Sequence, residues 1–190
     1  MGGASLGSRN SQQINFANPA SYTAVDSLAF LFEFGLTGKF SGYKSSLGKF
    51  ATDDVNFRYF AMNFPVTSRI AASMGLTPWS DVGYDLLVND SIPMSGNVQY
   101  MYYGEGSLSR AYFGLAAEPF RNVSVGANLF YFFGTLNRIS TVGFPDNTEI
   151  YSIRKNEVIR LRDFGVNFGL QATLPMKNNQ SLTFGATLES

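Results

Sequence analysis

The feature of this sequence that most limits its fold is an alternation with a period of two residues. From Leu28 to Phe40 the even-numbered positions are mostly large and apolar, whereas the odd-numbered ones are mostly small, polar or charged and include Glu33 and Lys39. Successive side chains of a β-strand point to opposite faces of the sheet, so this pattern predicts a strand with one apolar and one polar face.

The same alternation returns along the chain and predicts seven strands. They cover approximately residues 28–40, 55–64, 68–76, 109–117, 123–133, 164–174 and 182–188. The intervening connections alternate between short turns and long loops, and the long loops are about 41–53, 78–107 and 136–162. Within the second of these, VGYDLLVND and GNVQYMYYG predict a further hairpin. This sorting of loops is typical of outer-membrane barrels, in which tight turns and long external loops lie at opposite ends.

The composition indicates a protein whose outside is partly non-aqueous. Only 15% of the residues are charged, whereas 15% are aromatic. The longest apolar runs, Leu28–Phe32 and Leu129–Phe133, are far shorter than the roughly 20 residues of a membrane-spanning helix. Since a lysine that faces lipid costs about 2 to 4 kcal/mol at the bilayer midplane, the even-numbered face of the first strand is predicted to face outward. The predicted fold is all-β, a transmembrane antiparallel up-and-down β-barrel in the bacterial outer membrane.

Residues 1–26 form a segment of different character ahead of the strand region 27–190. They are rich in small and amide side chains and contain the turn Asn18-Pro19-Ala20. Irregular backbone at membrane depth is tolerated only inside protein or a water-filled cavity, so we expect this segment to lie in the barrel lumen as a hatch. Inward-facing glycines would leave room for it; they are Gly35, Gly126, Gly165, Gly169 and Gly185.

The residue types argue against an enzyme, a metal protein or a nucleic-acid binder. Histidine and cysteine are absent, which removes the commonest general base and the commonest transition-metal ligands. The pattern Gly3-Ala4-Ser5-Leu6-Gly7 matches a nucleophile elbow, but no predicted strand precedes it and there is no histidine to act as base. Fourteen basic residues balance fourteen acidic ones, so nothing favours a polyanion. No cofactor and no metal site are predicted.

Several motifs in order resemble FadL-type outer-membrane transporters of hydrophobic compounds, in the form found in Bacteroidetes. The residues that carry the resemblance are Gly2-Gly3-Ala4, Asn18-Pro19-Ala20, the block Ser124-Val125-Gly126-Ala127-Asn128-Leu129 followed by Gly134, and the terminal stretch Leu182 to Ser190. The resemblance implies a barrel of about fourteen strands with an N-terminal hatch in its lumen. Seven strands would then be the N-terminal half of a longer barrel; a complete eight-stranded barrel is the alternative.

The resemblance also implies roles for particular residues. Hydrophobic ligands such as fatty acids would be captured outside, pass the hatch and leave sideways into the bilayer. The gating residues would be Asn18, Pro19 and Ala20; the lateral opening would lie at Gly75 and Pro78; the capture loop would contain Ile139, Val142, Phe144 and Ile150. Pro78 is explained more simply as the end of the third strand, and the loop residues equally well by packing within the loop.

Other partners and other functions stay open at the level of sequence. The barrel surface would contact outer-membrane lipid. The basic residues Arg154, Lys155, Arg160 and Arg162 would contact lipopolysaccharide, guide a carboxylate ligand, or simply belong to a solvated loop. The main alternative to transport is an accessory barrel that acts as a non-transporting subunit of a larger outer-membrane secretion or assembly complex. A soluble extracellular β-sandwich is the third reading.

Overall fold

The fold of the chain is one antiparallel sheet with its strands in sequence order. The computed structural model describes residues 4–45, 48–92, 96–144, 151–176 and 180–190. The strands are β1 (Leu31–Ser45), β2 (Gly48–Thr67), β3 (Ile70–Ile92), β4 (Gly96–Phe120), β5 (Val123–Gly143), β6 (Ile153–Pro175) and β7 (Ser181–Glu189). The predicted seven strands and their up-and-down order are therefore confirmed over the described ranges.

Ahead of the sheet, the chain forms two short 3-10 turns, Ala4–Gly7 and Pro19–Ala24. These two turns are the helical elements of the described ranges, and neither is long and apolar enough to cross a membrane.

The predicted orientation of the strand faces is also confirmed. Phe32 and Phe34 of β1 are more than half exposed, whereas Glu33 between them is partly covered. In β6, Phe168 is 54% exposed and Gln171, on the opposite face, is 1% exposed. One face of these strands is thus apolar and open, and the other is polar and buried.

The strands are longer than predicted, because most of the segments 41–53, 78–107 and 136–162, which were predicted as long loops, continue the strands. The further hairpin predicted from VGYDLLVND and GNVQYMYYG is confirmed, since β3 ends at Ile92 and its neighbour β4 begins at Gly96. β3 continues through Pro78 to Ile92, so Pro78 does not end the third strand. β5 continues to Gly143, and β6 begins at Ile153. Proline removes one ladder donor but its φ is compatible with extended backbone, so a single proline did not mark a strand end here.

The pairing at the two ends of the sheet is regular. β1 and β2 pair from Leu31 opposite Asn63 to Ser45 opposite Gly48, with one register shift between Gly35 and Leu36. β6 and β7 pair from Asn167 opposite Glu189 to Pro175 opposite Ser181. The connections after β2 and β4 are short, as predicted, and each is two residues long; Asn122 in the second has a φ of 70°.

The described chain divides into two compact units. The first consists of Met1–Thr77, Arg110–Tyr131 and Phe164–Ser190, and it contains most of the buried side chains. The second consists of Pro78–Ser109, which we call the first arm, and Phe132–Asp163, which we call the second arm. The arms have a small core of their own, in which Val98 and Leu136 are buried and Trp79 packs edge-on against Phe132.

Candidate functional site

The most extensively bonded part of the molecule is the contact between residues 5–25, here called the N-terminal segment, and the polar face of the sheet. The polar face is lined by Asn63, Ser124, Asn128 and Gln171, each at most 2% exposed. Backbone of the segment is irregular outside its 3-10 turns, so its polar groups need partners from elsewhere. Side chains of the sheet supply them.

Asn18, Pro19 and Ala20 form the corner at which the segment meets the sheet. The side chain of Asn18 caps the turn Pro19–Ala24 by accepting from the backbone N of Ala20 at 3.1 Å. Its amide nitrogen donates to the carbonyl of Leu6 at 2.8 Å and to that of Leu170 in β6 at 3.2 Å. Asparagine and proline are favoured at these positions because one caps the turn and the other has the required φ.

Two glycines of the sheet allow this corner to approach the strands closely. A Cβ added at Gly126 would lie 2.5 Å from the carbonyl carbon of Pro19 and 2.7 Å from the nitrogen of Ala20. A Cβ at Gly169 would lie 2.8 Å from Cδ of Pro19. All three distances to backbone or ring atoms are too short for any side chain, so the prediction that inward glycines make room for the segment is confirmed at Gly126 and Gly169.

Arg9 joins the segment to three strands. Its guanidinium donates to five acceptors, which are Ser124 Oγ (2.9 Å), Thr23 Oγ1 (3.1 Å), Glu118 Oε2 (3.2 Å), Ala20 O (3.5 Å) and Gln171 Oε1 (3.5 Å). Burial lowers the pKa of Arg9, and the charge of Glu118 opposes that shift. An arginine remains protonated in either case, so this is a charged clamp between the segment and strands β4, β5 and β6.

Tyr22 is the second anchor, and it is fully buried. Its hydroxyl donates to Oδ1 of Asn128 at 3.0 Å, and its carbonyl accepts from Nδ2 of Asn63 at 3.1 Å. Burial raises the pKa of Tyr22. Over the described ranges, Oδ1 of Asn63 and Nδ2 of Asn128 have no hydrogen-bond partner, so this end of the contact is less completely satisfied than the Arg9 clamp.

At the β1 side, the segment leaves a cavity of about 380 Å³. Ile14, Phe16, Glu33 and Tyr59 are among the residues that line it. The backbone N of Ile14 donates to Glu33 at 2.5 Å, and the ring of Phe16 packs 5.9 Å from that of Tyr59. Glu33 therefore points to the polar face, as predicted, and serves to hold the segment.

The remaining predicted residues lie elsewhere. Gly75 is opposite Ala61 in the β2–β3 ladder, and Pro78 lies within β3; their role in a lateral opening stays a prediction. Ile139 and Val142 belong to β5, Phe144 follows it, and all three are half-buried. Ile150 lies outside the described residues. In the parts of the chain that the structure describes, no three acidic side chains gather into a group able to hold a metal ion.

The family of the chain follows from a comparison with protein-family models. The model of the BamG family matches residues 1–190. The chain belongs to the BamG family. Its family name points to a component of the β-barrel assembly machinery. Searches of curated proteins and of solved structures gave no significant match.

Membership of the BamG family corrects the identification made from sequence motifs. The assignment to FadL-type transporters is wrong, and the hatch and the fatty-acid transport that it implied are withdrawn with it. The structure explains why the motifs misled. Asn18 caps the turn that begins at Pro19, and Gly126 leaves space for the backbone of Pro19 and Ala20. These residues therefore reflect the packing of a segment on a sheet and do not identify a transported compound. A gating role for Asn18, Pro19 and Ala20 stays a prediction.

Sequence reasoning missed Arg9. The signal was present, because Arg9 is the sole charged residue among residues 1–25. Its partners Glu118 and Gln171 are more than 100 positions away in the chain. A lone charge in a segment predicted to be enclosed requires a buried partner, and that argument would have singled it out.

Proposed function

We propose that this protein is a non-transporting barrel subunit of a β-barrel assembly complex in the bacterial outer membrane. In this role it provides a docking surface for protein partners and carries out no catalysis. The BamG family name supports membership of such a complex, since it points to the assembly machinery.

The observation that carries the proposal is the covered polar face. A transporter needs a route along the inside of its barrel. Here the N-terminal segment is attached to that face through the Arg9 clamp and through Tyr22, and Gly126 and Gly169 let it approach to contact distance. A segment held by so many buried bonds is better suited to a permanent filling than to a moving gate.

The opposite face supports a place in the membrane. Its exposed side chains include large apolar residues on β1, β5, β6 and β7; examples are Phe32, Leu129, Phe168 and Phe184. An exposed apolar surface of this extent is unusual in water but is what lipid-facing strands present. Because unpaired strand edges are excluded from hydrocarbon, the proposal requires that the outer edges of β1 and β7 be paired in the bilayer.

Co-purification tests the proposal. A tagged chain is expressed in its own host and solubilised from outer membranes in a mild detergent. We expect the assembly machinery to be retained in a fixed ratio after extensive washing. The matched control carries Phe168→Arg, which places a charge on the lipid-facing side of β6 and should lower both membrane insertion and recovery of the complex.

Reconstitution supplies the second half of the test. In liposomes the purified chain should cause neither solute leakage nor fatty-acid uptake above the level of protein-free vesicles. Uptake of hydrophobic compounds by the chain alone, or purification free of any assembly component, would contradict the proposal.

A further inference from the structure

The second arm carries two arginines whose position on β6 points to a ligand. Arg160 and Arg162, which we call the arginine pair, are two residues apart and therefore lie on the same face of the strand. Both are exposed, and neither forms an ion pair over the described ranges. Two like charges on one face, about 7 Å apart at the rise of a β-strand, repel each other, and an anion between them would relieve that repulsion.

The even-numbered face of β6 also holds the apolar residues that the proposed function assigns to lipid. Phe164 follows Arg162 by two positions, and Phe168 and Leu170 continue the same face; all three are exposed. The ring of Phe164 packs 5.0 Å from that of Tyr131, which is itself 37% exposed. Aromatic residues of barrel strands are enriched at the boundary between hydrocarbon and headgroups, and the proposal assigns Tyr131 and Phe164 to that boundary.

The opposite face of β6 is neutralised by its own partners. Lys155 forms an ion pair with Glu157, which confirms that these two odd-numbered residues share a face. Lys155, assisted by Arg138, holds the pKa of Glu157 below its usual range. The excess positive charge of this strand is therefore on the even-numbered face, where Asn156 and Val158 offer no carboxylate.

We propose that the arginine pair binds the phosphate groups of lipid A at the membrane surface. The inference rests on the proposed function, since it requires β6 to cross the bilayer. On a strand tilted by about 40°, Arg162 and Arg160 lie about 5 and 11 Å above Phe164 along the membrane normal. The headgroup layer is about 5 to 8 Å deep, so Arg162 lies within it and Arg160 lies just above it, where its long side chain can reach back. The planar fork of arginine binds phosphate in bidentate fashion, which suits a phosphate held between two such groups.

Distance along the strand provides an internal control. Arg154 has the same parity as the arginine pair but lies about 34 Å along β6 from Phe164, beyond the reach of a headgroup phosphate. Lys155 is at a similar height on the opposite face and is already paired. Removing either charge should leave lipid A binding unchanged, although both substitutions alter the net charge of the arm by one unit.

The test is titration of the detergent-solubilised full chain with lipid A in neutral micelles. A single Arg160→Gln or Arg162→Gln substitution should weaken binding about 5-fold, and the double variant roughly 30-fold, if each arginine contributes the usual attraction to an anionic surface. Arg154→Gln and Lys155→Gln should bind as the wild type does. Thermal unfolding of each variant establishes that it is folded, and Arg160→Lys should recover part of the affinity lost in Arg160→Gln.

Equal binding of lipid A by the wild type and the double variant would overturn the proposal, even with co-purification of the assembly complex intact. Equal binding of dephosphorylated lipid A, or equally tight binding of inorganic phosphate, would also overturn it, because the ligand would then not be a lipid-borne phosphate. Loss of a protein partner in the double variant with lipid A binding unchanged would reassign the pair to a protein contact. If the pair binds lipid A but no assembly component co-purifies, the proposed function fails and the lipid site stands. A chain monodisperse without detergent would refute both.

Discussion

The polar face that the N-terminal segment covers differs from the two arms in where its polar side chains find partners. On the polar face, Arg9 is surrounded by five acceptors from its own chain, and Gln171 is almost completely buried. In the second arm, Arg160 and Arg162 are exposed and without an ion pair among the described residues. In the first region most polar groups find partners within the chain, and the charge of Arg9 is fully engaged there. The second presents charge and apolar surface outward, which is where we expect partners to bind.

The largest expected effect comes from filling the space that admits the segment. Gly126→Ala places a methyl group against the backbone of Pro19 and Ala20, which cannot move without lifting the segment from the sheet. We expect a loss of about 4 kcal/mol in the free energy of unfolding or failure to fold, at or above the top of the range for over-packed sites. Gly42→Ala, where an added Cβ meets no atom, is the control. Equal stability of both variants in urea unfolding would show that the segment is not held against the face.

A charge on the apolar face should be next in magnitude. Phe168→Arg is expected to lower stability in the membrane by about 3 kcal/mol, measured as unfolding in lipid vesicles. Val158→Arg introduces the same side chain at the same parity of β6, but in the arm, and should be tolerated. If both variants insert equally well, the assignment of Phe168 to lipid is wrong.

Removing the clamp tests the claim that the polar face is self-sufficient. Arg9→Met leaves Glu118 half-buried without its cation and should reduce stability by about 2 kcal/mol. Lys155→Gln, which breaks an exposed ion pair of the arm, should change nothing measurable. In the double variant Arg9→Met/Glu118→Gln part of the loss should be recovered. Additive losses would mean that the two residues do not act as a pair.

The smallest effect is expected at Tyr22. Tyr22→Phe removes the hydrogen bond to Asn128 and should reduce stability by about 1 kcal/mol at neutral pH. Burial raises the pKa of Tyr22, so the folded state favours the neutral phenol. That contribution is complete below the ordinary pKa of about 10 and is lost as pH rises above it. From about pH 8 to about pH 11 the wild type should therefore lose more stability than Tyr22→Phe.

The strands were predictable because each residue faces one of two contrasting surroundings. Phe32 and Glu33 are neighbours in sequence but meet different environments, and a period of two is enough to show it. The lengths of β3 and β5 were predictable only in part. In β3, residues 78–91 are exposed on both faces except for Val82, and in β5 most residues from 132 to 143 are partly covered on both faces, so the contrast that reveals a strand is absent in both stretches.

The site was predictable only in part. Inward glycines such as Gly169 indicated that something would approach the sheet, and the polar N-terminal residues indicated what it was. The pairing of Arg9 with Glu118 depends on two elements more than 100 residues apart, which a pattern in one segment cannot reveal. The family was mistaken because a capped turn and close-approach glycines are shared by folds with different functions.

The most direct test of the central claim is to fix the N-terminal segment to the sheet. Thr23 and Ser124 have their hydroxyl oxygens 2.9 Å apart, and the chain contains no cysteine, so Thr23→Cys/Ser124→Cys allows one defined disulfide. If the segment is a permanent filling of the polar face, the oxidised protein will still co-purify with the assembly machinery and will sustain normal outer-membrane protein levels. Loss of these properties on oxidation, with recovery on reduction, would show that the segment must move and would contradict the account.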